Sequence, residues 1–144
     1  MKLNQFTDYG LRILMYLAHK PDGPAATISE LSEAFKISRN HLVKVVQFLS
    51  NNQILLARRG KGGGLSLSRP PEEYKIGQLI LLMEQNDCII DCEQRDCILQ
   101  GSCLLKYALN NAYKEFIRFL DNYTLNDVAG GSTGVLLKDL LPKI

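Results

Sequence analysis

A glycine-rich, cationic segment between two β-prone runs constrains the fold of this chain more than any other feature. The segment "RGKGG" at 59–63 separates "ILLAR" from "GLSLS". This pattern predicts a β-hairpin with a flexible, positively charged tip. Paired prolines at 70–71 end the module, because proline blocks continuation of a regular element.

Two helical patterns open the chain ahead of this hairpin. A first helix is predicted from an N-cap near Thr7 to about Lys20, where "PDGP" breaks it. Thr27 and Glu30 form a T-x-x-E capping box, which predicts a second, short helix through Phe35.

A third helix is predicted after Ser38, and it has one apolar and one polar face. The apolar positions are spaced i, i+3, i+4, i+7, and they are Leu42, Val45, Val46 and Leu49. A helix fits the DNA major groove, where Asn and Gln pair with adenine and Arg and Lys reach guanine or phosphate. The polar positions that we expect to read DNA are Ser38, Arg39, Asn40, His41, Lys44 and Gln47.

The hairpin tip supplies both charge and access to a groove. Its expected DNA-binding residues are Arg58, Arg59, Gly60, Lys61, Gly62 and Gly63. Two tandem helices followed by such a hairpin favour a winged helix-turn-helix. A merely solvated polar face is the plain alternative. A nucleotide-binding loop is disfavoured, because the G-x-x-x-x-G-K-[ST] spacing is absent and no helix follows.

The second half of the chain predicts helices around a cysteine-bearing loop. A short helix is expected from about Ile76 to Gln85, a loop over about 86–102 and a long helix over about 103–122. Apolar residues along the long helix form a coiled-coil-like seam that favours dimerisation. The seam residues are Leu105, Leu109, Ala112, Phe116 and Leu120.

The chain therefore divides into a DNA-binding domain at 1–75 and a loop-and-dimerisation region at 76–144. Thr124 is expected to cap a last short turn, and "GGSTG" after it is expected to be loose. The predicted fold class is mainly α with a small β-hairpin wing, that is, a winged helix-turn-helix plus a long C-terminal dimerisation helix.

All four cysteines lie in or beside the predicted loop, at Cys88, Cys92, Cys97 and Cys103. No C-x-x-C pair and no nearby histidine occurs, which disfavours a zinc ribbon or a thioredoxin-type site. Acidic neighbours disfavour a free thiolate, whereas a metal would deprotonate bound thiols. The irregular spacing between the cysteines suits an iron–sulfur cluster. The alternative is that the cysteines have no functional role.

Charge and hydropathy bound the remaining classes. Residues 1–75 carry eleven Lys/Arg and six Asp/Glu, and residues 76–144 carry six and nine. A basic half fits an anion-binding module. The sequence predicts neither a membrane span nor a signal peptide, so we expect a cytoplasmic protein. The two histidines, His19 and His41, are isolated, and no Ser-His-Asp or Cys-His arrangement can be argued from them. The sequence therefore does not predict an enzyme.

At this point the motifs resemble a known bacterial family. "FTDYGLR", "SRNHLVKVV", "RGKGGGLSL", C-x4-C-x5-C and "LDNYTLND" are together similar to the winged-helix iron–sulfur transcription regulators of the IscR and NsrR type. Within the family, the chain looks most like the nitric-oxide-sensitive repressors (NsrR type).

The resemblance implies a homodimeric repressor of a near-palindromic double-stranded DNA operator, with a [4Fe–4S] or [2Fe–2S] cluster in each subunit. By family pattern, Cys92, Cys97 and Cys103 are cluster ligands. In nitric-oxide-sensing members the fourth ligand can be an aspartate from the partner subunit, here matched by Asp8, although an acid in a first helical turn is also favourable without a metal. Cys88 departs from the three-cysteine pattern and is either a fourth ligand or a small apolar residue. Nitric oxide is the implied signal. A general iron–sulfur or redox sensor and a zinc-stabilised protein–protein adaptor are the alternatives.

Overall fold

The computed structural model describes residues 2–20, 25–85, 88–90, 92 and 96–141. These residues form seven α-helices, one short 3₁₀ helix and a two-stranded sheet. In chain order they are α1 (Gln5–His19), α2 (Ile28–Phe35), α3 (Arg39–Asn51), β1 (Leu55–Arg58), β2 (Gly64–Leu67), the 3₁₀ helix (Pro71–Glu73), α4 (Ile76–Glu84), α5 (Leu104–Leu120), α6 (Leu125–Ala129) and α7 (Gly131–Leu140).

The predicted hairpin is confirmed as an antiparallel pair. Leu55 pairs with Leu67 and Arg58 with Gly64, so residues 59–63 form the connecting loop. Ala26 adds an isolated bridge to Leu65, which joins the wing to the segment before α2. The expected class, mainly helical with a small wing, is therefore observed.

Helix α1 runs through the centre of the molecule. It contacts α3, α4, α6, α7 and β2, and Ile13, Leu14 and Tyr16 on it are completely buried. Because helices from both halves of the chain pack on α1, a single hydrophobic core connects α3 and the wing with the C-terminal helices.

The predicted start of α1 at Thr7 is wrong. Asn4 is the N-cap, and its side-chain oxygen accepts a hydrogen bond from the backbone N–H of Thr7 at 2.8 Å. Thr7 itself is completely buried inside the first turn. Asparagine caps as well as threonine does, and the burial of Thr7 places the helix start one turn earlier. The "PDGP" break at 21–24 lies outside the described residues.

The capping box predicted at Thr27 and Glu30 is only half formed. Thr27 Oγ1 accepts a hydrogen bond from the backbone N–H of Glu30 at 3.1 Å. The Glu30 carboxylate instead accepts hydrogen bonds from Tyr16 Oη at 2.6 Å and Lys20 Nζ at 2.7 Å. Tertiary partners on α1 therefore take the carboxylate away from its local role.

The expectation that "GGSTG" is loose is also wrong, because these residues open α7. Gly134 and Leu137 are buried, and α7 packs on α6 and α1. Burial against neighbours offsets the low intrinsic helix propensity of glycine. The Thr124 cap is confirmed, and it forms a reciprocal capping box with Asp127.

Helix α5 has two different faces. Tyr113 and Ile117 are buried against the rest of the chain. The five residues of the predicted seam are half-buried or exposed, and Leu105 is 63% exposed. Phe116 and Leu120 of the seam pack against the core of the same chain, so only Leu105 and Ala112 are fully exposed. No helix in the described part is long and apolar enough to cross a membrane.

Candidate functional site

The polar face of α3 is built as the sequence predicts. Ser38 Oγ accepts a hydrogen bond from the backbone N–H of His41, which caps the helix. The four apolar residues predicted for the inner face are all buried. Consequently the outer face points to solvent, and its exposed residues are Ser38, Arg39, Asn40, His41, Lys44 and Gln47.

Two contacts orient the start of this face. Arg39 Nη1 donates a hydrogen bond to Ser29 Oγ on α2, so the guanidinium is tied to the preceding helix. The rings of His41 and Tyr9 lie 6.0 Å apart between their centroids. Helices α1 and α2 therefore both steady the N-terminal turn of α3, the part of a recognition helix that contacts base edges.

The wing presents a cationic tip of fixed shape. The backbone N–H of Gly63 donates to the carbonyl oxygen of Gly60 at 2.9 Å, which closes a tight turn. Gly60 has φ +95°, a conformation that side-chain-bearing residues rarely adopt. Arg58, Arg59 and Lys61 are exposed, and no ion pair with another described residue neutralises them. The tip can therefore meet a polyanion.

Three of the cysteines line one cavity. Cys92, Cys97 and Cys103 border a space of about 300 Å³ beside the start of α5. The other lining residues are Leu99, Gln100, Gly101, Lys106, Tyr107 and Asn110. All three cysteines are free thiols. The structure thus brings together the three residues that the family pattern names as ligands.

Cys103 is tied to the start of α5. It is the N-cap of this helix, and its sulfur accepts a hydrogen bond from the backbone N–H of Lys106 at 3.4 Å. The sulfur therefore takes the place of the side-chain oxygen that usually caps a helix. Thiolate is the form of cysteine that ligates iron.

Three cysteine sulfurs are suitable ligands for a soft metal, but the described residues do not adopt a coordinating arrangement. No group of three His, Cys, Asp or Glu within the described residues is arranged to hold a single metal ion. Cys88 is half-buried and is absent from the cavity lining. Asp8 forms an ion pair with Arg12 of the same helix, at 2.9 Å. The neighbouring acids Asp87, Asp91 and Glu93 lie outside the described residues.

Two residues that support these sites were not predicted from the sequence, one at the cysteine cavity and one beside α3. Lys106 contributes its backbone N–H to the Cys103 sulfur, and Ser29 holds Arg39. Lys106 carried a usable signal, because it stands three residues after Cys103 at the position that a cap bonds. The contact between Ser29 and Arg39 carried none, because it depends on how α2 and α3 pack.

Comparison with known proteins places the chain among transcription regulators. The profile of the Rrf2 family, described as iron-dependent transcriptional regulator, matches residues 3–131. Among solved structures, the oxidized form of Staphylococcus aureus CymR is 26% identical with a TM-score of 0.73, and the match covers 91% of this chain and 98% of that one.

Two further structures give the same picture. CymR (YrzC), described as the global cysteine regulator of B. subtilis, is 26% identical with a TM-score of 0.69, covering 90% of this chain and 96% of that one. T. potens IscR is 23% identical with a TM-score of 0.68, covering 89% and 85%. The last similarity supports the fold alone.

Proposed function

The chain belongs to the Rrf2 family of transcriptional regulators, and we propose that it is a DNA-binding repressor that senses nitric oxide through an iron–sulfur cluster. In this proposal, the dimer holds its operator while the cluster is intact and releases it when the cluster is nitrosylated. The family description is one of transcriptional regulation rather than of catalysis.

The observation that carries the proposal is the shared cavity of Cys92, Cys97 and Cys103. Three thiols from a loop and a helix start, with irregular spacing, suit an iron–sulfur cluster better than a zinc site. The cluster would supply a centre that nitric oxide attacks. The protein would supply three sulfur ligands, of which the Cys103 sulfur also accepts a hydrogen bond from the backbone N–H of Lys106.

The fourth ligand is proposed to be the partner subunit's Asp8, with Cys88 as the alternative. Asp8 lies in the first turn of α1 and is paired with Arg12 at 2.9 Å. Ligation would require this exposed pair to open, which costs little because exposed ion pairs contribute only about 0–1 kcal/mol. In an Asp8→Ala variant, an unchanged cluster spectrum and nitric oxide response would count against this ligand.

The seam of α5, which is exposed at Leu105 and Ala112 and half-buried elsewhere, would pair with its copy in a two-fold dimer. A symmetric dimer presents two α3 helices to successive major grooves, about 34–36 Å apart, on a near-palindromic site. Because Cys103 caps the first turn of α5, the state of its sulfur bears directly on the start of the dimer helix. A signal changes DNA affinity only through such a difference between states.

The test is anaerobic purification followed by iron and sulfide analysis, a visible spectrum and operator binding before and after nitric oxide. The proposal expects a coloured protein that loses operator affinity when nitric oxide bleaches it. Cys97→Ala should bind operator weakly, whereas Ser102→Ala, a neighbouring exposed control, should behave as wild type. Full operator affinity in Cys97→Ala would refute the cluster as the element that holds DNA-binding geometry.

A second candidate is a regulator that responds to another redox signal or to a metabolite. Cys97 is exposed and free, and two similar structures are of CymR, one described as oxidized and one as a cysteine regulator. Iron-free protein that binds operator fully and loses it on oxidation would favour this candidate. Colourless zinc-loaded protein without DNA affinity would favour an adaptor.

A further inference from the structure

One apolar side chain of α3 lies outside the hydrophobic core. Val43 is 45% exposed, whereas the other large apolar residues of this helix, all of whose residues the structure describes, are buried or packed against the core. These others are Leu42, Val45, Val46, Phe48 and Leu49. The core of this chain therefore does not explain why a valine stands at position 43.

The neighbours of Val43 on the helix surface are polar residues that are expected to read DNA. Side chains three and four positions apart are adjacent on a helix. Val43 consequently lies in one row between Arg39 and Gln47, with Asn40 beside it. All three of these polar residues are exposed. Any DNA groove that receives them therefore also receives the methyl groups of Val43.

Local structure does not require a valine here either. Serine and asparagine have helix propensities similar to that of valine, and either would be well solvated at an exposed position. A valine does offer rigidity, because its branched side chain has one strongly preferred rotamer in a helix. The two γ-methyl groups of Val43 are thus held in nearly one place and lose little entropy when they meet a partner.

The major groove offers one suitable partner to such a side chain. The base edges there present hydrogen-bond donors and acceptors, together with the C5-methyl group of thymine. Valine cannot hydrogen-bond through its side chain, and covering a polar base edge without a hydrogen bond is unfavourable. Contact between apolar groups that removes both from water is favourable. The chemistry of Val43 therefore matches thymine.

We propose that Val43 is a specificity-determining residue that recognises a thymine of the operator through its C5-methyl group. This inference rests on the operator binding of the proposed function and is independent of the cluster and its signal. Residues three apart on a helix have Cβ atoms about 5–6 Å apart, and base pairs stack about every 3.4 Å. The thymine therefore lies within about two base pairs of the base that Asn40 contacts.

The experiment removes the methyl groups separately from the DNA and from the protein. Operator sites are selected from random DNA with the anaerobically prepared wild type. Each thymine of one half-site is then replaced by deoxyuridine, which lacks only the C5-methyl group. Affinities for this series are measured for the wild type, for Val43→Ser and for Val135→Ser. Val135 is a matched control, because it is an exposed valine on α7.

The wild type and Val135→Ser are expected to lose about fourfold in affinity at one thymine, which corresponds to about 0.8 kcal/mol for one buried methyl group. Val43→Ser is expected to lose nothing at that same thymine, because the protein side of the contact is already absent. Since no charge is removed, the slope of log affinity against log salt should be the same in Val43→Ser and in the wild type.

The proposal is overturned if deoxyuridine costs the wild type no affinity at any thymine, or if Val43→Ser loses as much as the wild type at the same thymine. A changed salt slope in Val43→Ser would also refute it, because the substitution would then have moved α3 on the DNA. Unfolding midpoints equal to that of the wild type establish that the variants are folded. A wild type that selects no DNA sequence would overturn the proposed function as well, whereas operator binding without a methyl effect overturns only the role of Val43.

Discussion

The carboxylate of Asp121, at the end of α5, caps the start of α4. Its Oδ1 accepts a hydrogen bond from the backbone N–H of Gln78 at 3.0 Å, and its Oδ2 accepts one from the Gln78 side-chain amide at 2.9 Å. Lys75, the residue before α4, provides no side-chain cap. Helix α4, which leads into the cysteine loop, therefore takes its cap from the C-terminal end of α5.

Replacing this cap should destabilise the whole fold. Asp121→Ala is expected to lower the free energy of unfolding by about 1 kcal/mol, the usual cost of a lost helix cap. Urea unfolding measures it. Asp121→Asn, which keeps an acceptor oxygen, should lose less, and Glu115→Ala on the exposed side of α5 should change little. Equal stability of the alanine and asparagine variants would contradict the capping role.

Two substitutions at Cys103 should distinguish its role as a helix cap from its proposed role as a cluster ligand. Cys103→Ala removes the acceptor for the Lys106 N–H and is expected to lower the stability of cluster-free protein by about 1 kcal/mol, whereas Cys103→Ser keeps a good cap. Denaturant unfolding tests this without any metal. Under the proposed function, both variants also lose the visible absorbance of the cluster. Equal unfolding of the serine and alanine variants would argue against the cap.

The half-buried ion pair of Glu30 and Lys20 predicts a pH dependence of stability. Burial alone would raise the pKa of Glu30, but the hydrogen bonds from Lys20 and Tyr16 and the charge of Lys20 outweigh it and lower this pKa. A lowered pKa gives stability that is present above the unfolded value, about 4.3, and is lost as the pH falls through the folded value.

Glu30→Gln should therefore be less stable than wild type at pH 7, by about 2 kcal/mol for the loss of charge-assisted hydrogen bonds. The difference should shrink below pH 4, as wild-type Glu30 becomes protonated. Unfolding midpoints between pH 3 and 7 provide the measurement. Glu33→Gln, exposed on the same helix, is the control, and a pH-independent difference would be evidence against the pairing.

Gly10 and Met83 should show energetic coupling. A β-carbon on Gly10 would overlap the Met83 sulfur, and Met83 is buried between α1 and α4. Gly10→Ala is expected to cost about 1–3 kcal/mol through overpacking. In the double variant with Met83→Ala, the alanine fills part of the space left by methionine, so the two costs should not add. Additive costs would show that the cost of Gly10→Ala does not arise from overlap with Met83.

Asn40 on α3 should contribute to sequence recognition. It is exposed beside the capped N-terminus of that helix, where a side-chain amide can pair with adenine. Asn40→Ala should weaken operator binding by about 1–3 kcal/mol and leave non-specific DNA binding nearly unchanged. Competition binding with operator and random DNA distinguishes these effects. Asn126→Ala, exposed on α6, should match wild type in both.

The candidate sites differ in how far sequence predicted them. The exposed polar face of α3 followed from the spacing of four apolar residues and the Ser38 cap, and the structure exposes every residue expected there. For the cysteines, spacing indicated only the kind of chemistry. Their common cavity depends on how the loop returns to α5, and no local pattern contains that information.

By itself, the sequence determined the features that depend on neighbours a few residues away. These are the caps at Ser38 and Thr124, the glycine turn of the wing and the inner face of α3, because backbone hydrogen bonds and helical periodicity act over one or two turns. Only the tertiary structure decided the start of α1, the helix at "GGSTG", the partners of Glu30 and the common cavity of Cys92, Cys97 and Cys103. Each of these depends on burial or charge supplied by residues distant in the chain, whose free energies override local propensity once the core forms.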